Sequence, residues 1–291
     1  MNCLDQVITD KYAIYHGDCV EVLRGLPDQS VGYSIFSPPF ASLYTYSNSP
    51  RDMGNVRDDA EFFEHFDYLI AELRRVIKPG RNISFHCMDM PASKERDGYI
   101  GLKDFPGDLL RAFQRHGFIF HAKATIWKDP VTAMQRTKAL GLLHKSVREN
   151  AAMCRQGIPD YLITVRAPGE CERVTHGSEY PVDLWQKVAS PVWMDINPSD
   201  TLQYMSAREH DDERHICPLQ LDVIRRGIML WTNPGDIVLS PFMGIGSEGY
   251  VSVQMGRRFV GAELKASYFA QSRENLAGAV AKTVDLFAEA A

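Results

Sequence analysis

At 291 residues, 45% hydrophobic and 24% charged, the chain can bury the core of one large α/β unit, alone or carrying an insertion. No apolar run approaches the ~18–20 residues of a membrane span, and the first residues lack the basic start and apolar stretch of an export signal, so a cytoplasmic protein with no membrane partner is expected. The net charge of −5 does not favour a nucleic-acid partner by itself, and only its distribution along the chain keeps one in play.

Short apolar strands alternate with amphipathic helices, the pattern of a mostly parallel α/β sheet. Residues 12–16 read as a strand ending at Gly17-Asp18, 19–26 as a short helix, and Pro27-Asp28 as a turn. A buried strand over 33–36 stops abruptly at Ser37-Pro38-Pro39-Phe40. The polar, turn-rich stretch 41–60 shows no helical period and reads as a long mobile loop over a site. Helix 61–77 carries Phe62, Phe66, Leu69, Leu73 and Ile77 on one face, with Pro79-Gly80 as its stop. Strand 83–87, a helix over 105–116 closed by Gly117, and strand 118–127 follow. Residues 130–155 are largely helix-compatible, and 161–165 is a strand.

From 167 to about 212 the periodicity breaks down, with prolines at 168, 181, 191 and 198, which marks an inserted recognition segment. Regularity returns with a helix near 218–232, a turn at Asn233-Pro234-Gly235-Asp236 and strand 237–240. A glycine-rich turn, a helix to about Met255, strand 258–262 and a final helix complete the chain. The expected division is a 1–166 part, a 167–212 insert and a 213–291 part.

Six cysteines stand at 3, 19, 87, 154, 171 and 217 without C-x-x-C spacing or a tight His/Cys cluster, so reduced thiols and no metal are expected. Between Lys123 and Arg155 seven basic residues meet only Asp129 and Glu149, giving +5 and leaving −10 for the remainder. A basic stripe on an acidic body can hold a phosphate backbone. Its candidate contacts are Arg136, Lys138, Lys145 and Arg148, and a solvated helix face is the plainer alternative.

Two segments carry chemistry. In Pro241-Phe242-Met243-Gly244-Ile245-Gly246 a strand turns into a helix, where glycines admit a ligand close to the backbone and the helix start offers free N–H groups. Glu263 ends the next strand, where a carboxylate can accept hydrogen bonds from both ribose hydroxyls of an adenosine cofactor. A turn that begins from Pro-Phe favours an adenosyl ligand without pyrophosphate over a dinucleotide. In Ser37-Pro38-Pro39-Phe40 the prolines stiffen the backbone and remove two N–H donors, leaving free acceptors beside an aromatic ring. Such a site suits an amino group on a flat ring; a rigid strand-end turn is the structural alternative.

Together these segments resemble the amino-methyltransferases of DNA, which methylate cytosine N4 or adenine N6. The similarity covers about residues 11–127 and 205–276. The family tetrapeptide [D/N/S]-P-P-[Y/F/W] is met by Ser37, Pro38, Pro39 and Phe40, and its F-x-G-x-G loop by Phe242, Gly244 and Gly246. Asp18, with Cys19 beside it, fits the acidic position that in this family contacts the adenine amino group, and Glu263 the downstream acidic one. With the tetrapeptide first and F-x-G-x-G last, the order is that of the permuted β group.

The chain departs from the usual D-P-F-x-G-[S/A]-G-T at Ser240, Ile245 and Ser247, and Ser240 removes a carboxylate near the methionine end of the cofactor. The resemblance implies a Rossmann-like methyltransferase fold, S-adenosyl-L-methionine as cofactor and double-stranded DNA as partner. A homodimer is compatible with it. Serine at the first tetrapeptide position goes mostly with cytosine N4, so N4 is expected ahead of adenine N6. RNA or protein-glutamine methylation and a non-catalytic cofactor-binding module are the remoter alternatives.

Overall fold

The computed structural model describes residues 3–40, 52–56, 58–92, 94–137, 144, 148, 156–171, 181–203 and 218–289. Lys138 and Lys145 therefore lie outside the described residues, and so does most of the expected 41–60 loop.

Its centre is a run of strands rich in β-branched and aromatic side chains. All six residues of Val31–Phe36 are buried, as a strand covered on both faces requires. Numbered in chain order, the strands are β1 (Asp5–Ile8), β2 (Tyr12–His16), β3 (Val31–Phe36), β4 (Ile77–Met88), β5 (Met90–Ala92), β6 (Gly101–Lys103), β7 (Ile119–Ile126), β8 (Asp160–Arg166), β9 (Val192–Trp193), β10 (Ile237–Ser240) and β11 (Arg258–Glu263). Nine of them form one sheet in the order β1-β2-β11-β10-β3-β4-β8-β7-β9, and β5 pairs with β6 in a separate hairpin. The five strands from β2 to β4 run parallel, β8 lies antiparallel between β4 and β7, and β1 is an antiparallel edge on β2.

Helices cover both faces. On one side lie α1 (Cys19–Arg24), α2 (Asp59–Val76) and α4 (Phe105–Arg115), whose Leu23, Phe62, Phe66, Leu73, Leu109 and Phe113 pack with Ile83, Phe85 and Leu239 of the sheet. On the other lie α7 (Leu221–Trp231), α8 (Ser247–Gln254) and α9 (Ala266–Glu289), packed on Ile14, Tyr33, Ile35, Val238 and Phe259. The remaining helices are the short α3 (Lys94–Asp97), α5 (Pro130–Thr137) and α6 (Val182–Val188).

The periodic helix begins where Asp58 caps the Glu61 amide at 2.9 Å, but it ends at Val76. Ile77 pairs with Val31 instead of continuing the helix, so Pro79 and Gly80 lie inside β4, where a register shift against β3 accommodates them. Gly80 takes φ +69° there, a left-handed conformation that favours glycine. Part of the irregular 167–212 stretch is folded onto the sheet: β9 pairs parallel with β7, and Trp193 is buried in the second core.

The connections set the site. The chain leaves β3 through α2 to reach β4 on one side, and leaves β10 through α8 to reach β11 on the other. β3 and β10 are hydrogen-bonded neighbours, and the Ser34 hydroxyl donates to the Leu239 carbonyl at 2.9 Å. The crevice outside their carboxyl ends is thus the topological switch point, where open α/β sheets take ligands.

Candidate active site

Both sequence motifs meet at this switch point. Ser37, Pro38, Pro39 and Phe40 leave the end of β3, and Pro241 and Phe242 leave the end of β10. Phe36 and Phe242 pack with ring centroids 5.8 Å apart, which locks the two strand ends together. Asp18 and Cys19 follow β2 two strands away, and Glu263 ends β11 between them.

The glycine-rich turn is held by backbone hydrogen bonds. The Met243 amide donates to the Ala262 carbonyl at 3.0 Å, and the Gly246 amide to the Met243 carbonyl at 2.7 Å. Asn275 of α9 donates to the Ile245 carbonyl at 2.8 Å. Gly246 sits at φ +88° as the residue before α8, and a Cβ there would lie 2.6 Å from Leu276 Cδ1. Gly244 differs: at φ +52° its missing Cβ faces open space, with nothing within 4 Å. One glycine closes the packing behind the turn and the other keeps its front clear.

Glu263 is the electrostatic centre of this half. Its carboxylate accepts the Gly244 amide at 2.9 Å and the Lys265 amide at 2.8 Å, so it fixes the turn. Burial pushes its carboxyl up to about 7 against the pull of these amides, and the charge of Asp52 adds to the rise. Glu248, in the first turn of α8, is buried, and desolvation with the nearby Glu263 charge pushes it up to about 8. Asp52 is itself buried; one carboxylate oxygen accepts the Gly54 amide at 2.8 Å and the other, Oδ2, has no hydrogen-bond partner among the described residues. Ser240 Oγ is likewise buried without a partner among the described residues. The sequence marks out neither Glu248 nor Asp52: Asp52 falls in the stretch that reads as a long mobile loop over a site, and Glu248 looks like an ordinary helix-start acid.

Asp18 caps α1, accepting the Glu21 amide at 3.0 Å. Cys19 is buried, and burial pushes its thiol far up, so it is an apolar wall rather than a nucleophile.

On the other half, Ser37 Oγ stands 3.4 Å from His86 Nδ1 and 3.4 Å from the His86 carbonyl. His86 Nε2 lies 3.1 Å from Asp160 Oδ2, off the line of the N–H bond, and Lys128 Nζ bonds Asp160 Oδ1 at 2.5 Å. Burial opposes charge on Asp160, yet His86 and Lys128 together hold its carboxyl below the usual range. Phe40 packs on Phe105 at 6.0 Å, with its ring half-buried.

The basic stripe is only partly a surface feature. Lys128 is committed to Asp160, and Lys123 lies 3.8 Å over the Tyr161 ring. Arg148 is exposed in a helical position, and Arg136 belongs to α5 with its side chain outside the described residues. Among the described residues no three His, Cys, Asp or Glu side chains cluster as metal ligands, and no helix is long and apolar enough to cross a membrane.

The crevice at the ends of β3 and β10 thus brings the Ser-Pro-Pro-Phe strand end and the glycine turn with Glu263 to one place. The family model for DNA methylases of the N6/N4 type matches residues 33–274, and the chain belongs to that family. It is 25% identical over 270 residues to the Type II methyltransferase M.BglII of Bacillus subtilis, covering 91% of this chain and 69% of that protein. It is 24% identical over 257 residues to the DNA adenine methyltransferase YhdJ of Escherichia coli, covering 88% and 79%. The fold matches the protein TTHA0409 of Thermus thermophilus, complexed with S-adenosyl-L-methionine, with a TM-score of 0.67 at 22% identity, covering 93% of this chain and 96% of that one.

Proposed function

We propose that the chain transfers a methyl group from S-adenosyl-L-methionine to the exocyclic N4 amino group of a cytosine flipped out of double-stranded DNA. The observation that carries this reading is the placement of Ser37-Pro38-Pro39-Phe40 at the end of β3, directly beside the glycine turn at the end of β10.

The residues fit the cofactor. The open front of Gly244 admits an adenosyl group, Glu263 offers carboxylate oxygens to ribose hydroxyls, and Asp18 offers one to the adenine amino group. Asp52 Oδ2 and Ser240 Oγ, without partners among the described residues, offer acceptors to the amino-acid end. When bound, the cofactor supplies an electrophilic methyl on a sulfonium.

This chain's own residues prepare the nucleophile. An amino group conjugated to a base is weakly nucleophilic because its lone pair is spread into the ring. Accepting its two N–H groups at Ser37 Oγ and the Pro38 carbonyl draws the nitrogen toward tetrahedral geometry and frees that lone pair, which is catalysis by positioning and preorganised dipoles. No covalent nucleophile is required. Flipping the base costs a few kcal/mol, and stacking on Phe40 offsets about 1–3 kcal/mol of it.

Serine rather than aspartate in the first tetrapeptide position supports cytosine. Mass spectrometry of nucleosides from DNA treated with the protein and cofactor tests the assignment. N4-methylcytosine is the expected product; N6-methyladenine alone would overturn the base and leave the chemistry standing.

A further inference from the structure

Resting on that reading, we infer that His86, held by Asp160 and Lys128, is the proton acceptor behind Ser37. The inference starts from strand register. His86 lies opposite Leu162 in the β4–β8 pair and Met88 opposite Asp160. Side chains two apart share a face of a strand, so His86 and Asp160 are diagonal neighbours across the pair. Phe36 lies opposite Phe85, which carries Ser37, the next residue, alongside His86. Ile126 lies opposite Asp160 in the β7–β8 pair, and Lys128 follows two residues later. Four residues at positions 37, 86, 128 and 160 thereby form one file, from the crevice into the sheet, with separations of 3.4, 3.1 and 2.5 Å.

The charges fix the direction of the file. A buried, ionised Asp160 at His86 Nε2 favours the proton on that nitrogen, which leaves Nδ1 as a lone-pair acceptor toward Ser37. Ser37 then donates its hydroxyl proton to Nδ1 and turns its own lone pairs to the substrate amino group. During transfer the S–CH3 bond breaks with its electron pair going to sulfur, and an N–CH3 bond forms from the nitrogen lone pair. The nitrogen, now positive, releases one proton to Ser37 Oγ while the Ser37 hydroxyl proton passes to His86 Nδ1. The resulting imidazolium lies against the Asp160 carboxylate, and His86, 12% exposed, returns the proton to water.

Lys128 matters as the counter-charge that keeps Asp160 ionised although it is buried. Among the described residues, the other charged groups near this end of β4 include Asp89, which accepts from the Tyr161 hydroxyl at 3.5 Å, Asp104, whose charge reaches Asp89 and Cys87, and Lys123 over that tyrosine ring. Cys87 points to the opposite face and packs in the first core.

Two measurements test the file, one of them independent of any DNA chemistry. Nitrogen NMR of histidine-labelled protein, with His86 assigned from the His86→Asn spectrum, should show Nε2 protonated and Nδ1 as acceptor. Ser37→Ala should then shift the Nδ1 resonance and Asp160→Asn should shift the Nε2 resonance. An Nδ1-protonated ring, or a resonance indifferent to both substitutions, would overturn the inference whatever the enzyme methylates.

In single-turnover transfer of labelled methyl to DNA, His86→Asn should be about 10²-fold slower, the lower range for a positioned proton acceptor, with cofactor affinity unchanged. Added imidazole should restore part of the rate in His86→Gly, and Asp160→Asn should slow methyl transfer with cofactor affinity unchanged. A wild-type rate in a folded His86→Asn would overturn the proton-acceptor role. Should that variant fail to fold, wild-type single-turnover rates in Asp160→Asn and Lys128→Met would do the same.

Discussion

On the β10–β11 side of the crevice every contact has a backbone group as a partner: Met243 to Ala262, Gly246 to Met243, Gly244 and Lys265 to Glu263, and the Asn275 side chain to the Ile245 carbonyl. On the β3–β4 side they run from side chain to side chain, through Ser37, His86, Asp160 and Lys128. A backbone-built half needs only glycine, an acid and their spacing. A side-chain-built half needs four residues brought from four places in the chain. The first arrangement gives a stiff cradle for a constant ligand, and the second can move a proton. Substitutions in the two halves should therefore fail differently, the first in binding and the second in rate.

The largest separation is expected at Ser37. Ser37→Ala should lower methyl-transfer turnover by about 10²–10³, the loss expected for one preorganised hydrogen-bonding group at the reacting centre. Calorimetric affinity for S-adenosyl-L-methionine should stay unchanged, because the cofactor groups at 18 and 242–263 are untouched. Full activity in this variant would remove the hydroxyl from the mechanism. A parallel loss of cofactor affinity would instead show that the two halves are not separate.

Glu263→Ala should give the converse, a tenfold to hundredfold loss of cofactor affinity, since a hydrogen bond to a charged group is worth about 1.5–3 kcal/mol. The pH dependence sharpens it. Glu263 accepts best when ionised, and burial places that ionisation near pH 7. Wild-type affinity should therefore fall as pH drops below about 7, and Glu263→Gln should flatten the fall. Titrations at pH 6 and 8 with equal affinity would mean the carboxylate does not carry the ribose.

How far each half could be read from sequence follows from the same contrast. The glycine turn, Glu263 and the tetrapeptide are contiguous or separated by one strand, so pattern and spacing reveal them. The strands that position them were legible because buried strands are continuous apolar runs, as at 33–36 and 237–240. His86 gave a faint signal, a lone polar ring in the apolar stretch Ile83-Ser84-Phe85-His86-Cys87, but only the antiparallel register of β4 with β8 places it by Asp160. The strand β9 was invisible because two residues carry no periodicity, and its place depends on pairing with β7. The basic stretch was misleading in part. Lys123 and Lys128 counted toward a phosphate-binding stripe, yet one covers a tyrosine ring and the other neutralises Asp160.

Smaller effects are expected on the DNA side. Replacing Arg136, Lys138, Lys145 or Arg148 singly by alanine should weaken DNA binding a few-fold and reduce the slope of log affinity against log salt by about one. Arg148 is the sharpest of these because it is exposed. Unaltered slopes in all four variants would return the segment to a solvated helix face.

A last expected effect, on stability rather than on activity, bears on what the cofactor half costs the protein. Glu248 is buried at the start of α8, near Glu263, and both carboxyls are raised, to about 8 and about 7 from the ordinary 4.5. A raised folded value means the native state binds the proton more tightly than the unfolded chain. The stabilisation is then complete below pH 4.5 and is lost as pH rises toward 8, because the unfolded chain ionises first. Each such proton contributes at most about 1.4 kcal/mol per pH unit. Glu248→Gln keeps the shape and removes one titration, so urea unfolding between pH 5 and 8 should show a shallower decline than wild type, with Glu263 supplying the remainder. Equal declines would mean that Glu248 is ionised or hydrated in place, and that the cradle is less dry than its burial indicates. The comparison of halves would then need redrawing, because a hydrated Glu248 would make the turn a second polar network rather than a backbone-built one.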